Sequence, residues 1–265
     1  MEGPIGIIDS GVGGLTVVKE LRTKLPYESI IYIGDDKRCP YGPRPAEEVR
    51  QFTIEMASAL SKMGIKMLVI ACNTATAVAL NDVRELFDFP VIGVIVPGAR
   101  AALATSDTKK IAVLGTAGTI KSGAYSKEIA HQSPTATVIS LACPEFVPLV
   151  ESGQYKTDYA SIVVEQTLSD LAGNDFDTAI LGCTHYPLLE EHIKKSLPAN
   201  VKVISSAVET VHDIESVLNE KSLISETKQY IEPIFYTTGL QSTFQEIVSD
   251  WLRIENPDVR QLTLT

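Results

Sequence analysis

The sequence predicts an α/β fold of two pseudo-symmetric units. Each is expected to be a mainly parallel sheet flanked by helices, with the active site between them. Three observations carry that expectation. Short apolar runs alternate with helical stretches along the chain. Two of those runs end in cysteines in near-identical settings, Met67-Leu68-Val69-Ile70-Ala71-Cys72-Asn73-Thr74 and Thr178-Ala179-Ile180-Leu181-Gly182-Cys183-Thr184-His185. A strand-and-turn pattern also recurs. Ile5-Gly6-Ile7-Ile8-Asp9-Ser10-Gly11 parallels Ile111-Ala112-Val113-Leu114-Gly115-Thr116-Ala117, an offset of 111 − 5 = 106, and the cysteines are offset by 183 − 72 = 111. Similar offsets of two separated motifs, in the same order, indicate a duplicated α/β unit.

The strands read in order are Ile5–Asp9, Ile30–Gly34, Met67–Ala71, Val91–Val94, Ile111–Gly115, Thr137–Ala142, Thr178–Gly182, Val201–Ile204 and Ile234–Thr237. Near-continuous apolar strands are the mark of parallel sheets covered on both faces. Between Pro45 and Gly64, the residues Val49, Phe52, Met56, Leu60 and Met63 recur at spacings of three and four, which is one face of a helix. Pro97-Gly98 and Ser205-Ser206 mark the expected crossings between units. The first unit is therefore expected to hold residues 1–97 plus 207–265, because the stretch after Ser206 is too short to stand alone. The second is expected to hold 98–206.

Composition narrows the function. The 265 residues carry a net charge of −10, with 45% hydrophobic and 21% charged residues. That fits a globular protein and argues against a nucleic-acid binder, which shows a basic patch. No apolar stretch approaches the roughly 18 residues of a membrane span. Met1-Glu2-Gly3-Pro4 lacks the basic region of a targeting signal. Cys39, Cys72, Cys143 and Cys183 are scattered, with no C-x-x-C pair, so a zinc ribbon is not expected. A metal site built from Cys72, Cys183 and His185 lacks compact ligand spacing, and no metal is expected.

Four motifs carry chemistry. Asp9-Ser10-Gly11-Val12-Gly13-Gly14 follows the first strand. Its glycines do not fit the G-x-G-x-x-G dinucleotide spacing. Glycines there let backbone amides approach a ligand or simply make a tight turn, and Asp9 at the strand end favours a site. Pro40-Tyr41-Gly42-Pro43-Arg44-Pro45 is a stiff loop. It is either a structural turn or a platform presenting the Tyr41 hydroxyl and the Gly42 amide. The remaining two are the thiol motifs. Cys39 and Cys143 read as ordinary core cysteines. Cys72 and Cys183 do not, because each ends a strand at the edge where α/β sheets bind ligands. There a helix N-terminus favours a thiolate. His185 can exchange protons with Cys183, and Asp9 can orient a proton at Cys72. Asn73, Thr74 and Thr184 supply donors suited to a carboxylate.

A thiol hydrolase needs one nucleophilic cysteine and leaves the second without a task. Two thiols suit removal of a proton from one face of a carbon and delivery of one to the other. One sulfur must be thiolate and its partner thiol.

At these residues the chain resembles the glutamate racemases of the aspartate/glutamate racemase family. The likeness runs through Asp9-Ser10-Gly11-Val12-Gly13-Gly14-Leu15-Thr16, Pro40-Tyr41-Gly42 and Ala71-Cys72-Asn73-Thr74-Ala75. It continues through Pro144-Glu145-Phe146-Val147-Pro148-Leu149-Val150-Glu151 and Leu181-Gly182-Cys183-Thr184-His185-Tyr186-Pro187. The resemblance implies a cofactor-independent enzyme enclosing L- or D-glutamate between two domains. It implies Cys72 and Cys183 as acid/base groups, assisted by Asp9, His185 and Glu151. Ser10, Tyr41, Gly42, Asn73, Thr74 and Thr184 would hold the substrate, with Thr116 and Thr119 as further candidates; Thr116 is the repeat-mate of Ser10. It also implies a cytoplasmic homodimer supplying D-glutamate for peptidoglycan. Where the family commonly has Asp-Ser, this chain has Ser205-Ser206. Aspartate or broad-specificity acidic racemisation is the nearest alternative, and non-catalytic binding of a small acid is the other.

Overall fold

The computed structural model describes residues 3–264. The opening Met1-Glu2, part of the stretch read as lacking a targeting signal, lies outside the described residues. In chain order the elements are β1 (Ile5–Asp9), α1 (Leu15–Lys24), β2 (Ile30–Gly34), α2 (Ala46–Lys62), β3 (Met67–Ile70), α3 (Asn73–Leu86), β4 (Val91–Gly93) and α4 (Ile95–Thr105). They continue as β5 (Lys110–Gly115), α5 (Ala117–Ser122), α6 (Ala124–Gln132), β6 (Thr137–Ala142), α7 (Phe146–Glu151), α8 (Asp158–Leu168), β7 (Thr178–Gly182), α9 (Glu190–Ser196) and β8 (Lys202–Ser205). The chain closes with α10 (Ala207–Glu220), β9 (Ile234–Thr237), α11 (Gln241–Leu252) and β10 (Asp258–Gln261).

Two compact units result: Met1–Val94 with Ala207–Thr265, and Ile95–Ser206. Among the described residues, the first unit holds a six-stranded sheet of order β10-β9-β2-β1-β3-β4, and the second a four-stranded sheet of order β6-β5-β7-β8. Every strand pair is parallel. The orders β2-β1-β3-β4 and β6-β5-β7-β8 are one topology used twice, and the first unit extends it by β9 and β10. The repeat seen in two short motifs is thus a repeat of strand order.

In the first unit the period-two pleat divides the core. Ile5, Ile7, Met67 and Val69 join one buried cluster with α1, α10 and α11. Ile8, Leu68 and Ile70 join the other with α2 and α3. Both faces of β1 and β3 are therefore apolar, which is why these strands read as unbroken hydrophobic runs. α2 buries Val49, Met56 and Leu60 as expected, and adds Thr53 and Ala57 to the same stripe. No helix of the described residues is long and apolar enough to cross a membrane.

Two local readings change. Pro97 and Gly98, read as a crossing, lie in the first turn of α4, where a proline's missing N–H costs nothing. A Cβ at Gly98 would sit 2.9 Å from the Tyr125 hydroxyl and 3.1 Å from Ser206 Cβ. That glycine therefore serves close packing. Strand β10 was not anticipated. It is a short edge strand, Asp258-Val259-Arg260-Gln261, in which only Val259 is buried, so it carries almost no apolar signal.

Candidate active site

In each unit the chain runs from the first strand to a neighbour on one side, then returns to one on the other. The sheet therefore has a switch point between β1 and β3, and another between β5 and β7. Open α/β sheets bind ligands at such points, beyond the carboxyl ends of the strands. The register pairs Ile8 with Ile70 and Gly115 with Gly182. Two residues beyond the first pair stand Ser10 and Cys72; one beyond the second stand Thr116 and Cys183. Each thiol motif thus has a hydroxyl residue beside it on the adjacent strand, at the same place in each repeat.

In the first unit, Cys72 is the N-cap of α3. Its sulfur accepts the Ala75 N–H at 3.5 Å and its carbonyl accepts that of Thr76 at 2.8 Å. The helix dipole and an amide hydrogen bond both favour negative charge at that sulfur. The Cys72 thiol also donates to Ser10 Oγ at 3.8 Å. Asn73 and Thr74 form the buried first turn of the same helix. Asp9 is fully buried at the end of β1, and its Oδ2 accepts the Gly11 N–H at 3.1 Å. The turn after it has a packing reason. A Cβ on Gly14 would lie 2.8 Å from Asp9 Cβ, 2.8 Å from the Tyr32 hydroxyl and 3.1 Å from Ala71 Cβ. Gly14 has φ −63, so it is there for space, not for backbone freedom.

The Pro-rich loop decides between its two readings in part. Tyr41 is 1% exposed, shares a buried cluster with Cys72, and donates its hydroxyl to the Asp35 carboxylate. Burial first, and then the Asp35 charge, hold that phenol far above its ordinary pKa. The Tyr41 proton is therefore spent inside the protein, and only the oxygen remains to accept. Gly42 is buried beside it.

In the second unit, β7 delivers Cys183, but no α-helix starts there. A 3-10 turn, Tyr186–Leu189, comes first, with Pro187 in its opening turn, and α9 follows. The expected helix N-terminus is thus replaced by a side-chain partner. His185 Nδ1 lies 3.8 Å from Cys183 Sγ, and its Nε2 meets Glu151 Oε1 at 2.5 Å. Burial opposes charge on His185, but Cys183 and Glu151 outweigh it and hold the imidazole well above its usual range. A protonated ring donates from both nitrogens, which is what these two partners require. Thr184 is buried between Cys183 and His185. Thr116 caps α5, accepting the Thr119 N–H at 3.2 Å and donating to Thr119 Oγ1 at 3.1 Å. Cys143 is wholly buried; burial first, then Cys183, push its thiol up to about 12, and its sulfur donates to Leu141 O. That matches a core cysteine.

Asp35 escaped the sequence reading. Its signal was available: it stands directly after β2, at the same sheet edge as Asp9.

A model of the family described as Asp/Glu/Hydantoin racemase matches residues 5–214. The chain is 50% identical over 264 residues to a glutamate racemase of Lysinibacillus sphaericus, covering 100% of both. Among solved structures, a glutamate racemase isoform from Bacillus anthracis superposes with TM-score 0.95 at 46% identity, covering 99% of this chain and 98% of that one. A glutamate racemase from Francisella tularensis in complex with D-glutamate superposes with TM-score 0.92 at 35% identity, covering 99% and 98%.

Proposed function

The chain belongs to the Asp/Glu/Hydantoin racemase family, and on that premise we propose that it interconverts L- and D-glutamate by a two-thiol mechanism. Cys72 and Cys183 are the acid/base pair. In one direction a thiolate takes the α-proton and the other thiol returns one to the opposite face of the carbon. In the reverse direction the roles exchange. The Cα–H bond breaks towards one sulfur, its electron pair is held as a carbanion conjugated with the carboxylate, and a new C–H bond forms from the other sulfur.

One observation carries the reading: both cysteines end the third strand of the same repeated sheet order, each beside a hydroxyl residue at a switch point. His185 holds a proton at the Cys183 end, with Glu151 fixing the ring. Asp9 is the buried carboxylate at the Cys72 end. Ser10, Gly42, Asn73, Thr74 and Thr184 supply hydroxyls and amides for the substrate's carboxylates. Preorganised dipoles of this kind bind an acidic ligand in a protein of net negative charge without long basic side chains. Thr116 and Thr119 bond to each other and act at the edge of this set. The wider role is supply of D-glutamate for peptidoglycan, in the cytoplasm, by a homodimer.

The test is incubation with L-glutamate in D₂O without added cofactor, following optical rotation and α-deuteration together. Racemisation with deuterium in the D-product supports the proposal. Binding without exchange supports a binding protein instead, and faster exchange on aspartate than on glutamate reassigns the substrate.

A further inference from the structure

We infer that Asp35 is a positioning residue, fixing the loop Cys39–Gly42 so that the Gly42 N–H faces the substrate. The inference rests on the racemase reading and deepens it.

Asp35 is fully buried, and its own N–H donates to Asp9 O at 3.1 Å. Its carboxylate gathers three donors from three parts of the first unit. Arg38 Nε reaches Oδ2 at 2.6 Å, the Tyr41 hydroxyl reaches the same oxygen, and Thr238 Oγ1 reaches Oδ1 at 2.7 Å. Arg38 is itself braced. Its Nη1 donates to Glu55 Oε2 at 2.5 Å, and its guanidinium lies 3.9 Å from the centre of the Phe52 ring. Thr238 Oγ1 accepts the Lys37 N–H at 3.1 Å. A carboxylate with this many charge-assisted bonds has one conformation.

The consequence falls on one peptide plane. The Tyr41 carbonyl accepts the Arg44 N–H at 3.1 Å. In a trans peptide the C=O and the following N–H point opposite ways. With Tyr41 pinned at its hydroxyl by Asp35 and at its carbonyl by Arg44, the Gly42 N–H is turned to the other side. Gly42 is buried, and among the described residues no acceptor takes its N–H. A buried amide without a partner costs stability unless a ligand completes it. Tyr41, the other half of that peptide plane, shares its buried cluster with Cys72.

The test compares wild type, Asp35→Ala, Asp35→Asn and Tyr41→Phe for kcat and KM on glutamate in both directions, with thermal unfolding in parallel. Loss of a substrate-orienting hydrogen bond should raise KM about tenfold in Asp35→Ala and Tyr41→Phe, with kcat within about threefold. Asp35→Asn keeps an acceptor oxygen and should recover part of the KM loss. A merely structural role would lower apparent kcat with the folded fraction and leave KM alone; that pattern overturns the inference. Should Asp35→Ala not fold, Tyr41→Phe keeps the ring packing and decides alone. Wild type inert on glutamate would overturn the racemase reading and this inference with it, whereas an active wild type with unchanged KM in the variants overturns only the inference.

Discussion

His185 stands 3.8 Å from the sulfur of Cys183 and is held protonated there. The ring lies two residues along the chain from the thiol, and Glu151, 34 residues away, clamps its far nitrogen. A buried imidazolium is costly by itself. Here the Glu151 carboxylate and the thiol supply the compensation, so the second unit carries a proton donor already aimed at sulfur.

Cys183 and Glu151 both raise the His185 pKa. A raised folded-state pKa means the charge is present below that value and lost as pH rises through it. Glu151→Gln removes one of the two supports. The alkaline limb of the kcat profile should therefore move to lower pH, with little change in the acid limb. An unmoved alkaline limb would detach Glu151 from the proton relay.

Gly14→Ala should damage both stability and turnover. Its new methyl would meet Asp9 Cβ and the Tyr32 hydroxyl at 2.8 Å, and Tyr32 is already bonded to Gly11 O at 2.7 Å. Overpacking of this kind costs about 1–3 kcal/mol. Urea denaturation should show that loss, and kcat should fall because Asp9 is displaced. Unchanged stability would mean the turn relaxes freely.

Lys66 and Glu28 form a buried pair, at 2.5 Å with side chains 3% and 2% exposed. Lys66 Nζ also donates to Leu223 O, and Glu28 accepts the Ser225 N–H, so the pair ties down the segment after α10. Lys66→Met leaves a buried carboxylate without its counter-charge and should cost about 3–5 kcal/mol in urea denaturation. Replacing both residues by apolar ones of similar volume should recover most of it. A single variant as stable as wild type would show that water reaches the pair.

Much of the fold was legible because parallel strands announce themselves. β1, β2, β6, β7 and β9 were read to the residue, since their apolar runs end at polar turns. β10 was not, because Asp258-Val259-Arg260-Gln261 has a single apolar residue and so no such run. The switch-point positions of Cys72 and Cys183 followed from strand ends alone. The His185–Glu151 contact did not, because it joins α7 to the turn after β7 and no local spacing encodes it. The loop around Tyr41 reads either as a structural turn or as a platform for the Tyr41 hydroxyl and the Gly42 amide; the hydroxyl donates to Asp35, since a buried phenol takes the nearest charged acceptor. The Cys183 motif looked like that of Cys72 in sequence, yet Pro187 sits in a 3-10 turn there, and a histidine takes the place of the helix terminus.

The central claim is tested most directly by glutamate racemisation in Cys72→Ala and Cys183→Ala, each shown to be folded and assayed from both enantiomers. Each substitution should cut turnover by about 10²–10⁴-fold or more in both directions, since each removes one acid/base group. Turnover near that of wild type in either variant would contradict the two-thiol account.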